Sequence, residues 1–225
     1  DAVAPSGRIL VGLGGSASTD GGWDAAWAVR RRGGLRGARL VGAYDVRIGF
    51  VDAARLFAPQ KGATPEQVAL LEERLREMVV GYRDDFGVDV ESIPGSGSAG
   101  GFGAAIVALG GTLRSGYELV AEAVDLPAAL AVADLVMTGE GALDGQSFLG
   151  KVVGGVVEDA AAAGVPVVVV AGRATEEAAA EARRRGIRVE TLVGRFGEVA
   201  AMADPVGCLD AVVDDVLAVD DPVTG

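Results

Sequence analysis

The chain has 225 residues, half of them hydrophobic, and 20 Lys and Arg against 32 Asp and Glu give a net charge of −12 at pH 7. It has no histidine and one cysteine, Cys208, which excludes Ser-His-Asp catalysis, histidine metal sites, an internal disulfide and a cysteine metal cage. The acidic charge disfavours a nucleic-acid partner, and no segment has the pattern of a membrane span or signal peptide. We therefore expect a cytoplasmic protein.

Short strands and glycine-rich loops alternate in the first half of the chain. We predict strands over residues 8–13 and 38–46 and a helix over residues 22–32. Thr64, Pro65 and Gln67 form the pattern of a capping box, which predicts a helix running to about residue 82. The glycine tract over residues 95–103 opens a helix over residues 104–109, and a second short helix covers residues 117–124.

A more regular pattern follows in the second half. Apolar strands over residues 133–138, 165–171 and 187–193 alternate with helices over residues 151–163, 175–185 and 210–217, and residues 139–150 form a loop. This alternation predicts a parallel sheet covered on both faces. We place a domain boundary near residue 131. It separates a glycine-rich mixed α/β domain (residues 1–130) from a Rossmann-like parallel α/β domain (residues 131–225).

The first glycine loop, GLGGSASTDGG over residues 12–22, has three interpretations. It nearly matches a dinucleotide-binding fingerprint. A dinucleotide-binding loop passes into its helix almost at once, however, whereas this loop continues through residues 18–22. It also fits a tight turn that needs positive φ at its glycines. The third interpretation is an anion-binding nest, because Ser16, Ser18 and Thr19 offer hydroxyls and Asp20 offers a carboxylate beside exposed backbone N–H groups.

The second glycine loop, GQSFLGK over residues 145–151, nearly spells a phosphate-binding P-loop but continues with Val152 where Ser or Thr is required. Lys151 at a helix N-terminus could still bind phosphate. Glu140 and Asp144 lie in the predicted loop after a parallel strand, where ligands bind in open α/β sheets. These residues, like Lys61 in its turn, are either ligand-binding groups or solvated surface residues.

Four segments together resemble the class I glycerate kinases, the glycerate 2-kinase family. They are GLGGSASTDGG (residues 12–22), FAPQKGATPEQVALLEERL (residues 57–75), PGSGSAGGFGAA (residues 94–105) and ADLVMTGEGALDGQSFLGKVVGGV (residues 133–156), the last followed by AGVPVVVVAG. The resemblance covers residues 8–172 and implies a two-domain α/β fold, a Rossmann-like parallel sheet plus a smaller mixed α/β domain, with a cleft between them. It also implies ATP- and Mg²⁺-dependent phosphorylation of D-glycerate to 2-phosphoglycerate.

The resemblance implies a role for residues of every motif. The catalytic group would be Asp20, Lys61 and Lys151. Substrate would be bound by Ser16, Thr19 and Gln60. Nucleotide phosphates would be bound by Gly14, Gly15, Ser96, Gly97, Ser98, Gly100, Gly139 and Gln146. Mg²⁺ would be held by Glu140 and Asp144, directly or through water.

Two departures from the family pattern keep other functions open. Nothing in the chain matches the family's N-terminal SFKGS-like and ADGGEGT-like motifs, so we expect the chain to lack that segment. Asp45-Val46 is followed by Arg47 and Ile48 instead of the family's Asn-Pro-Leu. The alternatives are an inactive or partial glycerate kinase that acts as a binding module and, from the first glycine loop alone, a dinucleotide-dependent oxidoreductase.

Overall fold

The computed structural model describes residues 7–145, 147–148 and 152–218, and it divides into two compact units between Val120 and Ala121. In the described residues, each unit contains a parallel three-stranded sheet. Helices pack against these sheets through buried apolar clusters. The predicted α/β class is therefore confirmed.

The first unit is built on three strands in the order β1 (Arg8–Gly12), β2 (Arg39–Tyr44) and β3 (Thr112–Ser115). Gly12 pairs with Ala43, and Tyr44 pairs with Ser115, so the carboxyl ends of the strands lie at one edge. The helices are α1 (Trp23–Arg31), α2 (Asp52–Phe57), α3 (Pro65–Phe86) and α4 (Phe102–Ala108), with a 3-10 turn over Pro59–Lys61 before α3. Helix α5 (Gly116–Ala123) begins in this unit and ends in the second. The loops at this edge are the glycine-rich ones.

The second unit is built on β4 (Val136–Leu143), β5 (Val167–Ala174) and β6 (Arg188–Thr191), in that order. Its helices are α6 (Leu126–Leu130), α7 (Val152–Ala163), α8 (Glu176–Arg184), α9 (Leu192–Phe196), α10 (Glu198–Ala203) and α11 (Pro205–Ala218). Alternate residues of β5 enter two different cores: Val169 and Ala171 join one cluster, and Val168 and Val170 join another. Both faces of this sheet are covered, as its continuous apolar strands predicted.

Helix α3 begins where the capping box predicted. The Thr64 hydroxyl accepts from the Gln67 N–H at 3.3 Å, and the Gln67 side chain accepts from the Thr64 N–H at 2.8 Å. The helix continues past the predicted end to Phe86, where Gly87 at φ 71° closes it in the left-handed conformation. The extra turn is stabilised by packing, because Phe86 contacts the aromatic side chains of α1.

Strand β4 is longer than expected. We predicted a loop from residue 139, but the strand runs to Leu143 and pairs there with Ala174 of β5. Pairing with the neighbouring buried strand β5 outweighs the low strand propensity of the glycines in β4. Glu140 therefore lies within a strand instead of a loop.

Most of the shortest elements were not predicted from the sequence, although the 4-residue strand β6 was. Strand β3 has 4 residues, and helices α2, α6, α9 and α10 have 5 or 6 each. Such lengths are too short to display a hydrophobic period. None of the helices that the structure describes is long and apolar enough to cross a membrane.

Candidate active site

A pocket of about 410 Å³ with both polar and apolar walls lies in the first unit, beside the carboxyl ends of β1 and β2. Its walls come from the first glycine loop, the loop after β2, the end of α2 with the 3-10 turn, and the second glycine tract. The lining residues are Leu13, Gly14, Gly15, Ser16, Asp45, Val46, Phe57, Gln60, Lys61, Ser98, Ala99 and Gly100. The sequence analysis did not assign Leu13, Asp45 or Phe57 to the site.

Lys61 joins the 3-10 turn to the first glycine loop. Its ammonium donates to the Ser16 hydroxyl at 2.9 Å, to the Ser18 carbonyl, and to the Thr19 hydroxyl at 3.4 Å. The half-buried lysine therefore meets the loop whose hydroxyls the sequence proposed for substrate binding. The Ser16 and Thr19 hydroxyls accept from the ammonium and can still donate their own protons, so hydroxyls and positive charge together can bind the carboxylate of a small organic acid.

The charge of Lys61 is set by two opposing effects. Partial burial lowers the pKa of the Lys61 ammonium below its ordinary value of 10.5, and the nearby Asp20 carboxylate partly offsets this by raising it. The Asp20 carboxylate is itself oriented, because its Oδ1 accepts from the Gly22 N–H at 2.9 Å. Asp20 therefore lies near enough to Lys61 for their charges to interact, although Lys61 lines the pocket and Asp20 does not.

Tyr82 also stabilises the turn that contains Asp20. Its buried hydroxyl donates to the Gly21 carbonyl at 2.8 Å, and burial together with the Asp20 charge raises the pKa of Tyr82, so the phenol remains a donor. The ring packs edge-on against Trp23 at 5.0 Å and Phe50 at 5.7 Å between centroids. The sequence analysis did not assign Tyr82 to the site, because a tyrosine in the helix α3 is read from its pattern only as a core residue.

The second glycine tract packs against the first glycine loop through bare backbone. The Gly21 N–H donates to the Gly100 carbonyl at 2.9 Å, and a Cβ at Gly100 would lie 2.1 Å from the Ser18 carbonyl oxygen. Gly97 is as tightly placed, with its hypothetical Cβ 2.1 Å from the Gly49 carbonyl oxygen. Glycines here permit a close approach of two loops.

This packing separates the predicted phosphate-binding residues of the tract. Ser98 and Gly100 line the pocket, and the Ser98 hydroxyl donates to the Val46 carbonyl at 3.2 Å. Ser96 and Gly97 are buried and do not line it, and the Ser96 hydroxyl finds no hydrogen-bond partner within the described part of the chain. Their phosphate-binding role stays a prediction.

Other predicted site residues lie in the second unit, at an open pocket of about 1050 Å³. Gly139 and Glu140 of β4 line it, whereas Asp144 does not. The Asp144 N–H donates to the Ser147 hydroxyl at 3.0 Å, and its carboxylate accepts from that hydroxyl at 3.4 Å. Among the described residues, no group of three or more Asp, Glu, Cys or His side chains could hold a metal ion. Gln146 and Lys151 lie outside the described residues, so their roles stay predictions.

The comparisons with known proteins point to one family. Residues 29–219 match the model of the glycerate kinase family. An uncharacterized protein of Mycobacterium bovis is 39% identical over 227 residues, which cover 96% of this chain and 58% of that protein. Glycerate 2-kinase of Escherichia coli is 34% identical over 202 residues, which cover 76% of this chain and 53% of the enzyme.

A solved structure shares the fold. It is that of a protein from Salmonella typhimurium LT2 assigned as glycerate kinase 2, with a TM-score of 0.57 and 30% sequence identity. The match covers 89% of this chain and 64% of that structure. The chain thus spans little more than half the length of the curated relatives described above.

Proposed function

This chain belongs to the glycerate kinase family, and from that membership we propose that it carries out ATP-dependent phosphorylation of D-glycerate to 2-phosphoglycerate. The reaction transfers the γ-phosphoryl group to a hydroxyl, so it requires positioning and neutralisation of charge more than a covalent nucleophile. The absence of histidine from the sequence is compatible with that chemistry. A chain with one cysteine also fits the proposed cytoplasmic setting.

The observation that carries this proposal is the Lys61 cluster. The charge of the Lys61 ammonium and the Ser16 and Thr19 hydroxyls that accept from it would together bind the carboxylate of D-glycerate in this pocket. Gln60 lines the same pocket and would hydrogen-bond a hydroxyl of the acid. A volume of about 410 Å³ suits a small acid better than a nucleotide.

Asp20 is the candidate base. As the hydroxyl oxygen of glycerate forms its bond to the γ-phosphorus, the bond to the leaving ADP oxygen breaks and the hydroxyl proton passes to the Asp20 carboxylate. The turn that ties Asp20 to Gly22 orients the carboxylate for this transfer. The backbone N–H groups of Gly14 and Gly15, which line the pocket, would stabilise negative charge on the transferred group.

Mg²⁺ enters the proposal through the nucleotide. Such an ion usually keeps several waters and takes one or two carboxylates along with phosphate oxygens, where it neutralises phosphate charge. For that limited contribution Asp144, which follows β4, would offer one carboxylate. Lys151 and Gln146 remain the proposed partners of the phosphates.

The kinase is tested by ³¹P NMR of the chain with D-glycerate, ATP and Mg²⁺. We expect 2-phosphoglycerate and ADP from the unchanged chain and from Arg55→Met, which removes an exposed cation that does not line the pocket. Lys61→Met should lose at least about tenfold in affinity for D-glycerate, the value of one charge-assisted contact. Turnover that survives Lys61→Met unchanged would refute the assignment of this pocket.

The alternatives predict different results. A non-catalytic binding module would bind D-glycerate in a Lys61-dependent manner without forming product. A dinucleotide-dependent oxidoreductase would bind nicotinamide cofactors, but α1 begins only at Trp23, well beyond Gly14 and Gly15, so the loop does not lead directly into the helix.

Asp144→Asn tests the metal proposal. This variant should lower turnover strongly and leave the midpoint of thermal unfolding nearly unchanged.

A further inference from the structure

The pocket of the first unit contains an acid that the proposed reaction does not use. Among the described residues that line this pocket, Asp45 is the only acid and Lys61 the only cation. Asp45 directly follows β2, the central strand of its sheet. Ligands of parallel sheets bind beyond the carboxyl ends of the strands, so Asp45 lies where the sheet favours a ligand.

The Asp45 carboxylate is available to a ligand. Asp45 is exposed, and its carboxylate has no hydrogen-bond or ion-pair partner within residues 7–145, 147–148 and 152–218. Arg47, the next cation along the chain, pairs with Glu118 of α5 at 3.5 Å between nitrogen and oxygen. The negative charge of Asp45 therefore remains directed at the pocket that it lines.

Gly116, the first residue of α5, leaves the space that the Asp45 carboxylate occupies. A Cβ at Gly116 would lie 2.9 Å from the Asp45 Oδ1 and 3.6 Å from the Tyr44 carbonyl oxygen. The φ of Gly116 is not in the left-handed region, so the backbone conformation does not require glycine there. Glycine at residue 116 thus allows the carboxylate to keep its position beside the pocket.

We propose that Asp45 determines substrate specificity by accepting a hydrogen bond from the 3-hydroxyl of D-glycerate, an inference that rests on the proposed function. A carboxylate can accept hydrogen bonds but cannot donate them, and it repels another anion. In a pocket for an organic acid, Asp45 therefore favours a hydroxyl that donates to it. It disfavours an acid that lacks this hydroxyl, because the carboxylate would lose water without gaining a donor.

The positions of the two acids relative to Lys61 distinguish the two hydroxyls. Asp20 is the only acid among the described residues whose charge shifts the pKa of Lys61, so Asp45 lies farther from the ammonium. The substrate carboxylate would bind at Lys61, and in glycerate the 2-hydroxyl is closer to the carboxylate than the 3-hydroxyl. The nearer acid, Asp20, thus matches the reacting 2-hydroxyl, and the farther acid, Asp45, matches the 3-hydroxyl.

The test compares the affinities of D-glycerate and D-lactate by calorimetry, because D-lactate is D-glycerate without the 3-hydroxyl. The chain should bind D-glycerate at least about tenfold more tightly than D-lactate. Water competes at the exposed Asp45, so we do not expect the discrimination of about 10⁴-fold that buried polar sites reach. Asp45→Ala should abolish the preference by weakening D-glycerate and not D-lactate.

Two further variants separate the contact from general effects of charge and stability. Asp84→Ala, the matched control, removes an exposed acid of α3 that does not line the pocket, and it should keep the preference. Gly116→Ala retains the charge but displaces the flexible end of Asp45, so it should reduce the preference. Alanine favours helices, so this variant should fold normally.

A third acid, 3-hydroxypropanoate, shows which hydroxyl Asp45 binds. It keeps the 3-hydroxyl and lacks the 2-hydroxyl, so Asp45→Ala should weaken its binding as it weakens that of D-glycerate. A loss for D-lactate without a loss for 3-hydroxypropanoate would mean that Asp45 contacts the reacting hydroxyl, and the proposal would be wrong. A lower midpoint of thermal unfolding with an unchanged preference would make Asp45 only a stabilising charge at the N-terminus of α5, which also rejects the proposal.

These measurements distinguish failure of this inference from failure of the proposed kinase. D-glycerate binding that depends on Lys61 and shows the same preference in Asp45→Ala would overturn the role of Asp45 and leave the kinase in place. A preference that depends on Asp45 without any 2-phosphoglycerate would retain this role and refute turnover. A chain that does not bind D-glycerate would refute both.

Discussion

Lys61 is the residue on which the proposed substrate site depends most, and its protonation state can be tested. Because burial lowers its pKa below 10.5, the ammonium in the folded chain loses its proton at lower pH than in the unfolded chain. Its contribution to stability is therefore present above pH 10.5 and lost as the pH falls through the folded pKa. Binding of an anion has the opposite dependence, since only the protonated form attracts it.

We therefore expect the affinity for D-glycerate to fall as the pH rises from about 7 towards the lowered pKa, before it reaches 10.5. Lys61→Arg is the matched control, because a guanidinium keeps its charge throughout this window. Calorimetric titration of both chains at several pH values measures the effect. A decline of equal size in Lys61→Arg would show that another group controls binding.

Tyr82 tests how the Asp20 turn is held. Tyr82→Phe removes the hydrogen bond to the Gly21 carbonyl and leaves a carbonyl without that donor, so we expect the free energy of unfolding to fall by about 1–3 kcal/mol. The D-glycerate affinity should fall as well, because Asp20 and Lys61 share this turn. Tyr44→Phe, which removes the hydroxyl of a buried tyrosine in β2, is the matched control. Lost stability with unchanged affinity would make Tyr82 structural only.

At the scale of elements, the two glycine loops of the first unit are joined by backbone instead of side chains. Gly100 and Gly110 both have positive φ, 67° and 82°, but only Gly100 has a neighbour that a Cβ would strike. Their comparison therefore separates backbone strain from loop packing. Close backbone packing also accounts for Gly97, whose Cβ would lie 2.1 Å from the Gly49 carbonyl oxygen. The sequence analysis grouped Ser96 and Gly97 with Ser98, but both are buried and do not line the pocket.

We expect Gly110→Ala to lower the free energy of unfolding by about 1–2 kcal/mol through strain alone. Gly100→Ala should cost a further 1–3 kcal/mol or so, because its Cβ would lie 2.1 Å from the Ser18 carbonyl oxygen and must push the two loops apart. Denaturant unfolding measures both. Equal losses would mean that the loops separate without cost and that the packing is not tight in solution.

At the scale of the whole molecule, acidic charge exceeds basic charge by twelve, and ion pairs such as Arg55–Asp52 and Arg183–Glu176 lie on the surface. Exposed pairs contribute little to stability, whereas excess like charge repels itself in the compact state. Salt screens both effects, and the repulsion is the larger one here. Stability should therefore increase with salt.

We expect the midpoint of thermal unfolding to rise from about 0.01 M to about 1 M NaCl, a range over which the Debye length shrinks from roughly 30 to 3 Å. Arg183→Gln removes an exposed pair and adds to the negative excess, so it should increase the salt response without changing the midpoint much at high salt. Differential scanning calorimetry measures both chains. A midpoint that falls with salt would show that the surface pairs dominate.

Features that depend on neighbouring residues could be predicted from the sequence. The α/β class, the Thr64 cap and the apolar strand β5 follow from local periodicity, capping and hydrophobicity, which act within a few residues. The family motifs also singled out Lys61 and the first glycine loop. These two were predicted as parts of one site, although 45 residues separate Lys61 from Ser16.

Which side chains line the pockets depends on contacts between segments far apart in the chain. The Tyr82–Gly21 hydrogen bond spans 61 residues, and Glu140 lies in a strand because β4 continues past its predicted end. The pocket of the second unit exists because α10 and α11 lie opposite the β4 glycines. Such contacts depend on strand pairing and helix packing between distant segments, which no local pattern encodes.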